Sequence, residues 1–478
     1  MERAPGTRRL DPRTQVLVAT VLGSSMAAVD ASVVNVALPR IGHDLGLGLA
    51  GREWVFLSYS LVLASLYLLA GGVGDRVGQR RVFVAGTLGF AAASAVAGLA
   101  QDGAMLIAAR ALQGCAGAFV TTTSLALLRS TYGRDSGRAV GLWTAWTGVA
   151  TIVGPPLGGA LVQWASWRWI FYLNLPLAAL AATVAHRSGE DVLPEKRRPF
   201  DAVGAALFAA AFASATYALV EGPKEGFGGV WWAAVVAPVA LGAGLVHEAR
   251  TGDPMLPLGL FRHRNFAVAN LATLLVYAAL GGSTFYLVLY LQSVVGYSPF
   301  VASLPLVPIS VIVIALAGFF GRESDRHGPR LYLTVGPALL GVSMLLFSLV
   351  SSKSDVLALG AGIVVIGLGL AVTVAPITAT ALAAAPPRYS GIAAGVNNTL
   401  SRVGNLLAVA VVGLVIALVF THSAGASASK PLTGGHHSAN VTAFRAGMGV
   451  AAGLAFAGAL VAALGISNAE ALRDEASS

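Results

Sequence analysis

Apolar runs long enough to cross a bilayer recur along the whole chain, separated by short polar stretches. A membrane-spanning helix needs about 20 apolar residues. Fourteen segments reach that length, at about 14–38, 54–74, 82–100, 104–128, 138–164, 167–186, 202–220, 230–247, 266–292, 299–320, 331–350, 356–381, 391–420 and 443–466. The pattern predicts an all-α integral membrane protein with fourteen transmembrane spans. The first run exceeds a signal-peptide core of roughly 7–15 residues, so it reads as a retained span. An even number of spans places both termini on one side.

Composition points the same way. Hydrophobic residues make up 56% of the chain, charged residues 11%, and the mean hydropathy is +0.74. A soluble domain carries roughly 25% charged residues, so this chain lacks the polar surface to hide its apolar content from water. The net charge of +9 could suggest nucleic acid, but the positive residues lie in short loops, where they set topology. No nucleic-acid partner is expected; the lipid bilayer is. Loops assigned inside hold about 22 Arg and Lys and those assigned outside about 7, Arg52 among the latter. This bias puts both termini in the cytoplasm of a cell-membrane protein. Only Arg110 and Arg402 are left within spans. The single cysteine, Cys115, forms no internal disulfide.

Two charged sequences occur twice. Gly71, Asp75, Arg76, Gly78 and Arg80 reappear 250 residues later as Gly321, Asp325, Arg326, Gly328 and Arg330, each set in a basic loop between two apolar runs. Arg134-Asp135-Ser136-Gly137 reappears as Arg388-Tyr389-Ser390-Gly391, offset by 254. A duplicated membrane chain suggests a transporter that rocks one half against the other. The expected organisation is a cytoplasmic segment 1–13, a six-helix bundle 14–187, a linker 188–265 with two extra spans, a second six-helix bundle 266–466, and a cytoplasmic tail 467–478. The twin loop reads as a conformational latch, the first copy the stronger, or as a basic turn that only fixes topology.

Charges inside spans are costly in lipid and mark candidate chemistry. Asp30 reads as the only carboxylate well inside any span. At 1.5 Å per residue it lies roughly 13 Å from the outer end of span 1, and Arg110 lies roughly 9 Å from the same face in span 4. If those spans are neighbours the two pair, either as a proton-coupling element or as a static ion pair. In span 5, Gly154, Pro155, Pro156, Gly158 and Gly159 combine a kink with close helix packing. Asn398, Arg402 and Asn405 share one helix face, facing substrate, a gating network or simply another helix. Tyr286, Tyr290 and Gln292 in span 9 offer aromatic faces suited to cationic or flat amphiphilic ligands, or a packing stripe. Asn35 of span 1 joins Tyr286, Tyr290, Gln292, Asn398 and Arg402 as a substrate-binding candidate. His436 and His437 are too little to assign a metal, and no cofactor is expected. There is no GxxxxGK[ST], HExxH or GxSxG stretch, so neither a P-loop ATPase nor a hydrolase of these types is indicated.

These residues resemble the major facilitator superfamily. The twin loop is similar to its signature between helices two and three and the echo in the second half. Leu106 to Gly117, with Arg110, Gln113 and Gly114, is similar to its fourth-helix motif, and Gly154 to Gly159 to its antiporter motif. Asp30 to Pro39 and Trp167 to Pro176 resemble the fourteen-span drug:proton antiporters. The resemblance implies two six-helix bundles plus two central helices, and export of small amphiphilic molecules in exchange for protons. It assigns proton coupling to Asp30 and Arg110, gating to Asp75 and Arg76, and the antiport movement to Gly154–Gly159. A monomer with no enzymatic step is expected. A dedicated exporter of one metabolite or lipid, and a membrane enzyme or sensor, remain as alternatives. The later spans show no interior acids, which argues against dications as cargo.

Overall fold

A computed structural model describes residues 11–133, 136–188, 201–226, 228–252, 254, 256–386, 390–424, 431–432 and 435–468. Among them the chain is helical and contains no strand. The first half comprises α1 (Pro12–Asp44), α2 (Leu49–Val77), α3 (Gln79–Gly98), α4 (Gly103–Tyr132), α5 (Ser136–Trp164), α6 (Trp169–Tyr172) and α7 (Asn174–Arg187). Next come α8 (Ala202–Glu225) and α9 (Trp231–Arg250). The second half comprises α10 (Arg264–Ser293), α11 (Pro299–Ser303), α12 (Leu306–His327), α13 (Arg330–Ser348), α14 (Val356–Ala383), α15 (Ser390–Ala424) and α16 (His437–Gly465). Among the described residues, thirteen helical segments are long and apolar enough to cross a membrane, with α6–α7 and α11–α12 each counted as one. The 29-residue α2 lies between the first two of them.

The halves repeat one packing scheme. α1 packs on α4, α5 and α7 as α10 packs on α14, α15 and α16; α4 holds α2 and α3 as α14 holds α12 and α13. Lipid tails are as apolar as leucine, so close packing rather than the hydrophobic effect joins such helices. Large apolar side chains such as Val239, Ile314 and Leu357 stay exposed, a surface suited to a bilayer. The extra helix α8 packs against both α2 and α15, and so touches both halves.

The helices overrun the expected spans. α1 continues through Pro39 to Asp44, and α2 starts at Leu49, which places Arg52 and Glu53 inside a helix, both buried. Arg52 is therefore not a loop residue. The twin loops are also shorter than expected. α2 runs to Val77 and α12 to His327, so Asp75, Arg76, Asp325 and Arg326 occupy last helical turns. The turn itself is little more than Gly78 at φ 113° or Gly328 at φ 86°, backbone that side-chain-bearing residues rarely adopt. The reason is capping: the N–H of Gly78 reaches the carbonyl of Gly74, and that of Gly328 reaches Ser324.

Candidate functional site

Asp30 sits midway along α1 and is 1% exposed; Arg110 of α4 is fully buried. Their helices are neighbours, and Arg110 Nη1 donates to Asp30 Oδ2 at 2.5 Å. The other carboxylate oxygen accepts from Asn174 Nδ2 at 2.9 Å and Gln113 Nε2 at 3.2 Å. Gln113 Oε1 accepts from Arg110 Nη1 at 2.8 Å. Ser94 Oγ of α3 accepts from both amides, Gln113 at 2.7 Å and Asn174 at 3.2 Å. Arg110 Nε reaches the Val55 carbonyl at 3.3 Å, and the guanidinium lies 4.4 Å from the Tyr59 ring centre. Arg110 Nη2 and Asn174 Oδ1 have no hydrogen-bond partner. Four helices thus converge on one carboxylate, with α2 contributing the Val55 carbonyl and Tyr59.

Taking two ions out of water costs several kcal/mol each, recovered only where geometry and hydrogen bonds are good. Here both Asp30 oxygens are used, and the Tyr59 ring face supplies negative potential to the cation. The cluster lies wholly within the first half. Ser94 and Tyr59 give no signal in sequence, being ordinary residues of apolar helices. Asn174 stands beside the break between α6 and α7, in a segment already notable for its motif.

The Gly/Pro segment of α5 lies on the opposite side of α1. A Cβ at Gly154 would fall on Ser32 Oγ, and one at Gly158 would lie 2.5 Å from Val33 Cγ1. Gly159 faces the second half: a Cβ there would lie 2.8 Å from Phe300 Cα and from the Pro299 carbonyl. Pro155 and Pro156 are accommodated inside the helix. One helix, α1, therefore carries Asp30 on one side and the α5 contact two and three residues later.

The twin turns match in detail. Arg80 Nη1 donates to the His186 carbonyl at the end of α7, and Arg330 Nε to the Ala463 carbonyl near the end of α16. Each bundle thus fastens its third helix to its last. Arg76 is exposed, as are Asp325 and Arg326; Arg326 pairs with Glu323 at 3.3 Å. The Gly71 and Asp75 side positions lie outside the described residues, and so do Arg134, Asp135, Arg388 and Tyr389.

The substrate candidates scatter. Asn35 Nδ2 reaches the Thr284 carbonyl at 3.5 Å and Gln292 Nε2 the Val36 carbonyl at 3.0 Å, so both lie on the seam between halves. Tyr286 also lies there, its hydroxyl against Glu53 of α2. Tyr290 does not. Its hydroxyl donates to the Val350 carbonyl and its ring stacks on Phe444 at 3.8 Å, inside the second bundle. Packing within α10, α13 and α16 overrides the expected ligand face. Asn398 is exposed, and Arg402 lies 5.0 Å from the ring centre of Tyr67 on α2. Glu53 corrects the expectation that Asp30 is the only interior carboxylate. The polar pair Arg52-Glu53 reads as loop, yet α10 and α15 cover it. Glu221, accepting from Trp54 Nε1 at 2.8 Å, is a further buried acid at the end of α8.

Between described residues, every hydrogen bond joining the halves lies toward the face where α1 ends and α2 begins. These bonds involve Asn35, Arg52, Glu53, Gln163 and Gln292. Toward the opposite face, Gly141 and Gly148 of α5 look into open space.

Residues 20–409 match the model of the Major Facilitator Superfamily. The chain is 37% identical over 413 residues to the multidrug resistance protein Stp of Mycobacterium tuberculosis (strain CDC 1551 / Oshkosh), covering 85% of this chain and 76% of that protein. It is 33% identical over 434 residues to the methylenomycin A resistance protein of Bacillus subtilis (strain 168), covering 88% and 92%. In fold it resembles the crystal structure of a bacterial homologue of the human lysosomal transporter Spinster, with a TM-score of 0.70, 15% identity, and 98% and 99% of the two chains covered. The repeated six-helix packing and these matches agree: the chain belongs to the Major Facilitator Superfamily.

Proposed function

We propose that the chain is a proton-coupled exporter, a fourteen-span drug:proton antiporter of the cell membrane with both termini in the cytoplasm. It moves amphiphilic drug-like or natural-product molecules outward and catalyses no chemical reaction. The observation that carries this reading is the sealed Asp30–Arg110 pair, whose carboxylate joins α1 to α4 and α7. Protonating Asp30 removes the charge that holds Arg110. α1 then loses its strongest tie to α4, while its other side remains packed on Gly154 and Gly158 of α5. α5 in turn reaches the second half at Gly159, so a change at Asp30 has a packed route to the seam. The names of the relatives, multidrug and methylenomycin A resistance proteins, support a small-molecule drug as cargo.

In this topology the fastened face of the seam is the outer one, and the state described is closed outward. Cargo enters from the cytoplasmic side between the halves, past Arg402 and Tyr67, and leaves outward when the seam opens, as alternating access requires. Each chain holds both halves, so a monomer suffices.

The test is transport in everted vesicles under an imposed pH gradient, with a panel of dyes and antibiotics. Uptake that collapses with a protonophore, and is lost in Asp30→Asn, is expected. Full proton-coupled transport by Asp30→Asn would overturn the assignment.

A further inference from the structure

Glu53 is 3% exposed, on the first turns of α2 where the first half meets α10 and α15 of the second. Its Oε1 lies 2.7 Å from the Tyr286 hydroxyl, and that hydroxyl lies 2.8 Å from the carbonyl oxygen of Val409 on α15. A phenol has one hydrogen to give. Were Glu53 ionised, the hydroxyl could satisfy only one of its two acceptors. The other contact would set lone pair against lone pair at hydrogen-bond distance. Both contacts become hydrogen bonds when Glu53 carries a proton: the carboxyl donates to Tyr286 Oη, and Tyr286 donates to Val409.

The neighbours fit a neutral acid. Among the described residues, the ionisable group that α8 brings near Glu53 is a second carboxyl, Glu221, which accepts from Trp54 Nε1 at 2.8 Å. Arg52 turns away to the Leu432 carbonyl. From α10 the facing group is Tyr286. From α15 it is Gly413, where a Cβ would fall on both the Tyr286 hydroxyl and Glu53 Oε1; the missing side chain makes room for the bridge. Arg402 of α15 lies on Tyr67, nearly four turns of α2 from Glu53. Arg110 of α4 is committed to Asp30 and the Val55 carbonyl. On α1, Arg40 and His43 pair with Asp44 at the exposed end. A cavity of about 240 Å³ between α2, α8 and α15, lined by Gly48, Leu49, Val220 and Gly413, reaches Glu53. Water has room there to deliver a proton.

We propose that Glu53 is a second proton-binding site, separate from Asp30, and that closing this face of the seam takes up one proton on it. A hydronium ion in the cavity gives its proton to the Glu53 carboxylate and leaves as water; opening the seam reverses the transfer. The inference concerns the seam itself, so it stands or falls independently of the exporter reading.

The experiment uses the full chain in lipid nanodiscs, with spin labels at Gln101→Cys and Ser354→Cys, both exposed on this face in opposite halves, in a Cys115→Ala background. Electron–electron distances are recorded from pH 5 to pH 9. With one proton taken up, the closed-to-open ratio changes up to tenfold per pH unit in the wild type. Glu53→Gln, whose amide donates to Tyr286 as the carboxyl does, is expected to stay closed at every pH with Asp30 intact. Infrared spectra of the unlabelled protein at neutral pH supply a second measurement, a protonated-carboxyl C=O band absent from Glu53→Gln. A closed fraction that titrates alike in wild type and Glu53→Gln overturns the proposal, as does a wild-type distance that ignores pH or the lack of the infrared band.

Discussion

In the first half, α1 and α4 bury an aspartate and an arginine at the centre of their bundle. The second half repeats the helices but not the charges. Its interior polar cluster joins α10 and α15, where Asn397 Nδ2 donates to Thr273 Oγ1 at 2.8 Å and Asn270 Oδ1 at 3.3 Å. Both clusters satisfy polar groups in a dry interior, as they must. Only the first contains a group whose charge changes with proton binding, so only it can trade a proton for a helix contact. Symmetry thus repeats the helix scaffold, and the buried ion pair breaks that symmetry in one half.

Several changes would break or sharpen that contrast. The largest effect is expected from Arg110→Ala, which strands a buried carboxylate. Breaking a buried pair costs about 3–5 kcal/mol, so detergent-solubilised protein should melt markedly earlier and vesicle transport should vanish. The double change Asp30→Leu with Arg110→Met should recover most of that stability, since apolar replacement of a buried pair is often near neutral, while transport stays lost. Recovery of both would mean the pair is only structural.

Next comes Gly159→Val, whose branched side chain would meet the Phe300 and Pro299 backbone. It should hold the halves apart on that face and cut transport at least tenfold with little change in melting temperature, read by vesicle flux and by the Gln101–Ser354 distance. In the second half, Asn397→Ala should cost about 1–3 kcal/mol through unsatisfied partners and leave the pH dependence of transport intact. A shifted pH profile would place chemistry in both halves.

The smallest effect is expected at equivalent helix starts. Asp102 precedes α4 and caps the Met105 N–H, whereas Asp355 precedes α14 and accepts from Ser351 and Ser352. Those bonds, led by the Ser351 N–H, draw the half-buried Asp355 carboxyl down to about 2 from 3.8. A lowered value stabilises the fold above the ordinary pKa, and that contribution fades as pH falls through about 2. Asp355→Asn should therefore lower the melting temperature slightly at pH 7, with the difference from wild type vanishing toward pH 2.

Much of this was legible because lipid makes sequence errors expensive. A charge within an apolar run is costly wherever it faces, so Asp30 and Arg110 stood out, and helix rise alone set them at matching depth. Gly78 and Gly328 were marked by a repeat that also predicted two equivalent turns. Glu53 was not legible. It follows Arg52 at the edge of an apolar run, where two charges in a row look like a loop. Tyr290 and Tyr286, one helical turn apart, looked alike, yet one stacks on Phe444 and the other meets Glu53.

The sequence by itself determined that the chain is a membrane protein, that its halves are related, and which charges must be hidden. Those conclusions need only hydropathy, spacing and the cost of an ion in lipid. The tertiary structure alone decided which neutral residues complete the Asp30 site, that Glu53 leaves the surface, and that the hydrogen bonds joining the halves, among the described residues, gather at one face. Each depends on which side of a helix meets which neighbour. That is set by packing among helices far apart in the chain, and no local pattern records it.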